Sequence, residues 1–238
     1  MLVNCDIGER GAKHPVDIEL MQYIDIANIA CGGHAGNEES IHRFYELALK
    51  NNIHITAHLS YPDKENFGRV SMQLPLEQLY ESLNKQLAFM PQVKSVKLHG
   101  ALYNDSCKDS LLAFQVTQWL KKNKIESVIT MPDNCLAHEC EKLNIQILNE
   151  SFAERRYYKN SDGKLLLVPR TKPFASIHTL EEALKQCSTI TKEHCIYLIE
   201  NIESKILNYQ KHALRADTIC IHSDSKIALK LAKEIKKI

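Results

Sequence analysis

A chain of 238 residues with 44% hydrophobic and 25% charged residues has an ordinary globular composition, long enough for one large domain or two small ones. Its 30 basic and 29 acidic residues leave a formal net charge of +1, and no basic stripe is interleaved with aromatics, which argues against nucleic acid as a partner. No apolar run reaches bilayer length, so no membrane span is expected. The 8 cysteines form no C-x-x-C pair, and Cys5, Cys31 and Cys220 sit in apolar, strand-like runs, as reduced core thiols do. With no basic-then-apolar leader in MLVNCDIGER, the expectation is a cytoplasmic protein.

Met1 to Ile7 predicts a first strand, leaving through Asp6-Ile7-Gly8-Glu9, and His14 to Tyr23 is short and partly helical. Ile24 to Gly36 organises the chain: an apolar, β-branched run breaks at Gly32-Gly33, presents His34 and breaks again at Gly36. Asn37 or Ser40 caps a helix to about Lys50, whose apolar face is Ile41, Phe44, Tyr45 and Ala48. A third strand, Ile53 to Ala57, ends at His58. The loop from Leu59 to Met72 is longer than most strand–helix connections and carries Tyr61, Asp63, Phe67 and Arg69. Pro75 opens a helix to about Met90. Ser95 to Leu98 is a fourth strand ending in His99-Gly100-Ala101-Leu102-Tyr103-Asn104, followed by a helix from near Ser110 to Lys122. Ser127 to Met131 and Ile145 to Leu148 are the fifth and sixth strands, with a helix over Cys135 to Lys142 between them; the sixth leads to Asn149-Glu150.

From Ser151 to about Ala175 the period changes. Arg155-Arg156-Tyr157-Tyr158, the turn Asn160-Ser161-Asp162-Gly163 and the run Leu165 to Val168 predict a hairpin. Thr179 opens a helix through Lys185, and Cys195 to Leu214 alternates in part, as a second small excursion of strands would. Thr218 to Ile221 is the seventh strand, ended by His222-Ser223-Asp224 before a Lys-rich last helix. No linker or repeat interrupts this rhythm, so one domain over 1–238 is expected.

Asp6, His34 and His58 are 28 and 24 residues apart, close to the roughly 30 of one strand-helix-strand unit. Right-handed crossovers place them on one rim of a parallel sheet, where ligands bind. About seven such units favour an α/β fold built as a seven-stranded parallel barrel, complete or slightly open. Asp6, His34 and His58 suit a divalent metal; the alternative is a hydrogen-bonded cluster without one. Lys97 and His99, two apart on a strand, face the same way and suit a carboxylate or phosphate. Glu150 and Arg155 follow the sixth strand. His222 and Asp224 are candidates for a general base and its orienting partner. Asp217 precedes its strand and reads as a structural cap or ion pair.

NCDIGE, ANIACG-HAG, AH-SYPD, FGR, K-HGALYN, the E-FA-R-Y segment with its later LVPR, and ADTICIH-D occur in order from Asn4 to Asp224. The ordered set resembles the family of 5-oxoprolinase A subunits, also called LamB/YcsF, over nearly the whole chain. The resemblance implies a barrel like that of glycoside hydrolases and deacetylases, and a role in ATP-dependent opening of 5-oxoproline (pyroglutamate) to L-glutamate with partner subunits B and C. The site groups are kept in these motifs, and the catalytic candidates read from the strand ends are Lys97, His99, Glu150, His222 and Asp224, the last equally placed to cap the final helix. Asn28, Tyr61, Arg69, Tyr103 and Arg155 are the substrate-binding candidates in the matching motifs. The chain departs from the pattern at Arg10, where a small residue is usual, at Gly33, where an aromatic is, at Leu59 and Leu98, where proline is, and at Ser223, where glycine is. No G-x-x-x-x-G-K-[ST] loop is present to hold ATP. The competing readings are a metal-dependent deacetylase or other amide or sugar hydrolase, and a binding subunit whose partners do the chemistry.

Overall fold

The structure is a computed structural model describing residues 1–238. In the first two-thirds of the chain strands and helices alternate: β1 (Leu2–Ile7), α1 (Pro15–Leu20), β2 (Ile26–Ala30), α2 (Glu38–Lys50), β3 (His54–Leu59), α3 (Leu76–Leu87), β4 (Ser95–Leu98), α4 (Gly100–Lys108), α5 (Ser110–Lys122), β5 (Ser127–Thr130), α6 (Cys135–Lys142) and β6 (Gln146–Phe152). The chain then leaves the main sheet for β7 (Tyr157–Lys159), β8 (Leu165–Leu167), α7 (Leu180–Glu193), β9 (Cys195–Ile199) and β10 (Tyr209–Ala213). It returns with β11 (Thr218–Ile221) and ends in α8 (Ala228–Ile235).

Seven strands close into an all-parallel barrel in the order β1-β11-β6-β5-β4-β3-β2. The barrel is complete, not slightly open, because β11 inserts between β1 and β6: Leu2 pairs with Thr218, and Thr218 with Glu150. Asp217 immediately precedes that closing strand; its carboxylate accepts the backbone N–H of Asn149 at 2.8 Å, as a structural cap would. The helices pack apolar faces on the barrel. On α2 these are Ile41, Phe44 and Ala48, and the helix begins with a reciprocal capping box between Asn37 and Ser40.

Three features differ from the sequence expectation. Residues 100–108 are a helix, α4, which buries Ala101, Leu102, Tyr103, Asp105, Ser106 and Cys107. A helix enclosed on so many sides shows no amphipathic period, so the segment reads as a strand exit. β6 runs through Asn149-Glu150 to Phe152, because Glu150 points into the barrel and meets a lysine there. The two excursions are one structure: β10-β9-β7-β8 form a four-stranded sheet in which β7 and β9 are parallel and the outer pairs antiparallel. One continuous core joins this sheet to the barrel through Tyr157, Leu165, Ile196 and Leu198. No helix is long and apolar enough to cross a membrane.

Candidate active site

The C-terminal ends of the barrel strands surround a cavity of about 560 Å³. At its floor Lys97, carried by β4, is buried with its ammonium 2.7 Å from Glu150 Oε1 and 3.0 Å from Asp6 Oδ1. It also donates to Asn4 Oδ1 at 3.1 Å and lies 3.2 Å from the Cys220 thiol. Burial disfavours the charged ammonium, but Asp6, Cys220 and Glu150 outweigh it and hold the Lys97 pKa well above the lysine range. Burial likewise pushes the Asp6 carboxyl up, while His58 and Lys97 bring it well below the carboxylate range. Asn28 donates 2.9 Å to Asp6 Oδ1 from beneath and fixes that carboxylate. Tyr103 lines the wall; its hydroxyl accepts the N–H of Met131, and burial, with Glu150 alongside, raises its pKa well above the phenol range.

Beside this network three imidazoles and one carboxylate gather from four strand ends. The rings of His34 and His99 stack with centroids 3.6 Å apart, and His58 stands edge-on to both. Glu9 Oε1 lies 2.9 Å from His34 Nε2, 3.4 Å from His99 Nδ1 and 3.8 Å from His58 Nε2. Burial and the neighbouring imidazoles keep His34 and His99 well below the histidine range, hence neutral. Burial first, then the charge of Asp6, raises Glu9 to about 7. Gly68 makes room for the stack: with φ +63° it takes a conformation few side chains tolerate, and a Cβ there would lie 2.8 Å from His34 Cβ. The donor atoms of Glu9, His34, His58 and His99 lie within 4.8 Å of one another, so these residues could hold a metal.

The expected metal set of Asp6, His34 and His58 is redrawn accordingly. Asp6 Oδ2 is 3.4 Å from His58 Nε2, but its other oxygen serves Lys97 and Asn28; Glu9 and His99 complete the group instead. The pairing of His222 with Asp224 is also corrected. Asp224 turns to Arg69, 3.4 Å away at the exposed mouth, while Glu154 backs His222, accepting its backbone N–H at 3.0 Å with the imidazole Nδ1 3.8 Å away. Arg155 lines the cavity but donates to the carbonyls of Val168 and Ala175, and so fastens the hairpin; burial lowers its pKa to about 9. Tyr61 does not line the cavity, since its hydroxyl points to Asp105 beneath the loop. Glu9 and Arg170, which line the cavity, and Glu154, which backs His222, are the groups sequence reasoning passed over. Glu9 and Arg170 stand in NCDIGE and LVPR, the signal that could have found them; Glu154 had none beyond its place next to Arg155.

Fold and site together define a parallel α/β-barrel protein whose strand ends enclose a polar, charge-networked pocket of small-molecule size. The chain belongs to the LamB/YcsF family, whose model matches residues 1–238. It is 35% identical to the A subunit of 5-oxoprolinase from Oceanobacillus iheyensis, over 98% of this chain and 90% of that relative. It is 34% identical to the corresponding A subunit of 5-oxoprolinase from Pyrococcus abyssi, over 99% of this chain and 92% of that one. The crystal structure of a lactam utilization protein from Thermus thermophilus matches with a TM-score of 0.82 at 27% identity, over 100% of this chain and 94% of that one.

Proposed function

We propose that this chain is the barrel subunit of an ATP-dependent 5-oxoprolinase, opening 5-oxoproline to L-glutamate together with partner subunits B and C. The observation that carries the reading is the cavity itself: a buried ammonium between two carboxylates at the floor, an imidazole backed by a carboxylate on the wall, and Arg69 and Arg170 at the mouth. The names borne by the relatives supply the substrate and the existence of partners.

A lactam resists water because its amide resonance must be broken. In this reading ATP enters at the level of the assembly: the amide oxygen takes the γ-phosphoryl group and ADP leaves. Water then adds at the ring carbonyl carbon, the ring C–N bond breaks as the nitrogen gains a proton, and γ-glutamyl phosphate results. A second water releases phosphate and glutamate. His222 takes the proton from the attacking water, and Glu154 orients it. Lys97, fixed by Asp6 and Glu150, faces the charge that develops on oxygen, and Arg69 meets the substrate carboxylate or phosphoryl group at the mouth. His99 and Tyr103 shape the wall against which the ring sits.

The test measures glutamate and phosphate with the chain alone and after reconstitution with subunits B and C. The expected result is release of both, one for one, in the reconstituted assembly only. One observation favours a second reading, a metal-dependent hydrolase acting without ATP: the four-donor group at the rim. Glutamate formed by the chain alone without phosphate release selects that reading. Calorimetric binding of 5-oxoproline, with turnover indifferent to Lys97→Met and His222→Asn, would instead identify a binding subunit.

A further inference from the structure

We propose that Glu9, His34, His58 and His99 bind one divalent transition-metal ion of the zinc class. The argument starts from the ring nitrogens turned away from the centre. His58 Nδ1 lies 3.2 Å from the carbonyl oxygen of Lys97, and His99 Nε2 lies 3.0 Å from that of Phe67. A carbonyl only accepts, so each of these nitrogens carries its ring's proton. In neutral rings the inward nitrogens, His58 Nε2 and His99 Nδ1, are then lone pairs, and they face each other 3.0 Å apart, with Asp6 Oδ2 a further 3.4 Å from His58 Nε2. Glu9 Oε1 adds another acceptor, 3.4 Å from His99 Nδ1 and 3.8 Å from His58 Nε2. Acceptors crowded in this way repel unless a positive charge sits among them. A proton bridges only one pair of atoms; a metal ion serves all four.

Donor spacing and chemistry agree with that occupant, and because imidazole lone pairs lie in the ring plane, binding would turn one ring out of the parallel His34–His99 stack. A tetrahedral ion with bonds of about 2.0–2.1 Å holds its donors about 3.3 Å apart. Four of the six donor pairs are 2.9, 3.0, 3.4 and 3.8 Å apart, and no pair exceeds 4.8 Å. Three imidazoles and one carboxylate suit zinc, cobalt, nickel or ferrous iron, and offer too few oxygens for calcium or magnesium. The carbonyls of Lys97 and Phe67 already hold two of the rings as outer partners of a metal ligand do. His34 Nδ1 is buried with no hydrogen-bond partner, so the ring's one polar contact is Nε2 to Glu9 Oε1 at 2.9 Å, where an ion would take the place of the proton. Glu9, His58 and His99 also line the cavity, so a bound ion would polarise a carbonyl or activate water there. The proposal deepens the reading of this cavity as a ring-opening site, but it rests on donor geometry and is tested without substrate.

The experiment takes the full chain, purified without chelators or affinity histidines, and measures metal content by elemental mass spectrometry. Chelator-stripped protein is then titrated with zinc by calorimetry and melted with and without zinc. The expected results are binding of one ion per chain with a dissociation constant below micromolar, a raised melting temperature, and X-ray absorption showing light-atom ligands at about 2.0–2.1 Å. His58→Ala and the near-isosteric Glu9→Gln should each weaken binding at least tenfold, circular dichroism of the stripped proteins confirming that both fold. Zinc binding retained in both folded variants places the ion elsewhere and overturns the proposal. So does wild-type protein that binds neither zinc, cobalt nor nickel, which would leave a shared proton as the occupant. No glutamate from the reconstituted wild-type assembly, with metal binding intact, would overturn the ring-opening reading and leave this one standing.

Discussion

Replacing Lys97 by methionine keeps most of a buried stem and removes one charge. The ammonium, 3% exposed, sits 2.7 Å from Glu150 and 3.0 Å from Asp6. Taking one partner from a buried pair strands the other charge, which costs about 3–5 kcal/mol. Against a total stability of about 5–15 kcal/mol the barrel should remain folded, measurably weaker. Activity should fall about 10²–10³-fold, as when one preorganised electrostatic donor is lost. The penalty belongs to the stranded carboxylates rather than to the missing stem. Adding Glu150→Gln should therefore restore about 2 kcal/mol of stability, within the range of contacting pairs, and restore no activity.

Urea denaturation followed by circular dichroism, run on the wild type, both single variants and the double variant, gives the cycle. The slope against urea should be unchanged throughout, so that midpoints alone carry the differences. A double variant as unstable as the sum of its singles would refute the charge argument, since it would mean that Lys97 stabilises by packing. Wild-type turnover in Lys97→Met would refute its place in the chemistry.

Three other outcomes follow from the site. His222→Asn and Glu154→Gln should each slow glutamate formation in the reconstituted assembly, the former by about 10²-fold or more, with unchanged melting of the His222 variant; a normal rate in both excludes His222 as the base. Gly68→Ala should cost more stability than Gly163→Ala: both positions have positive φ, at about 1–2 kcal/mol for a side chain there, but only Gly68 also crowds His34, whereas Gly163 has open space. Equal thermal shifts would show that the histidine stack yields freely. Burial raises the thiols of Cys31, Cys107 and Cys187 to about 12 and Cys140 to about 11, so at pH 8 they stay protonated and unreactive. Iodoacetamide should label the half-buried Cys135 first, read by peptide mass spectrometry, and rapid native labelling of Cys31 or Cys107 would contradict this.

The barrel was legible because each buried strand writes a short apolar run and each site residue interrupts one near its end. Asp6, His34, His58, Lys97 and His99 stand out for that reason, and the structure brings them to one mouth. Periodicity could not reveal partners set by closure in space. Glu154 and His222 meet across 68 residues because β11 returns to lie beside β6. Glu9 sits in a turn beyond β1, where no pattern separates a site carboxylate from a solvated one. Tyr61 shows the reverse error: an aromatic in a long loop looks like a ligand contact, yet it is buried against Asp105 as part of the loop's own packing.

Three positions read in the sequence as departures from the family pattern, Gly33, Arg10 and Ser223, lie where the rim turns are held. A Cβ on Gly33 would come 2.4 Å from Gln86 Oε1, so the space an aromatic would claim belongs to Gln86. That buried amide accepts the Ser60 N–H at 3.0 Å and donates to the Ser60 carbonyl at 2.9 Å, holding the exit of β3 behind His58. Arg10 donates to Asp17 at 2.6 Å and to the carbonyl of Ser223 at 2.7 Å, tying the turn after β1, which carries Glu9, to the turn after β11, which carries His222. Arg10 and Ser223, both departures, are thus in contact with each other. Neither Gln86 nor Arg10 lines the cavity. Both act on backbone, so what they alter is how firmly the rim turns are held, while Lys97, Glu150, His222 and Glu154 keep their partners beneath.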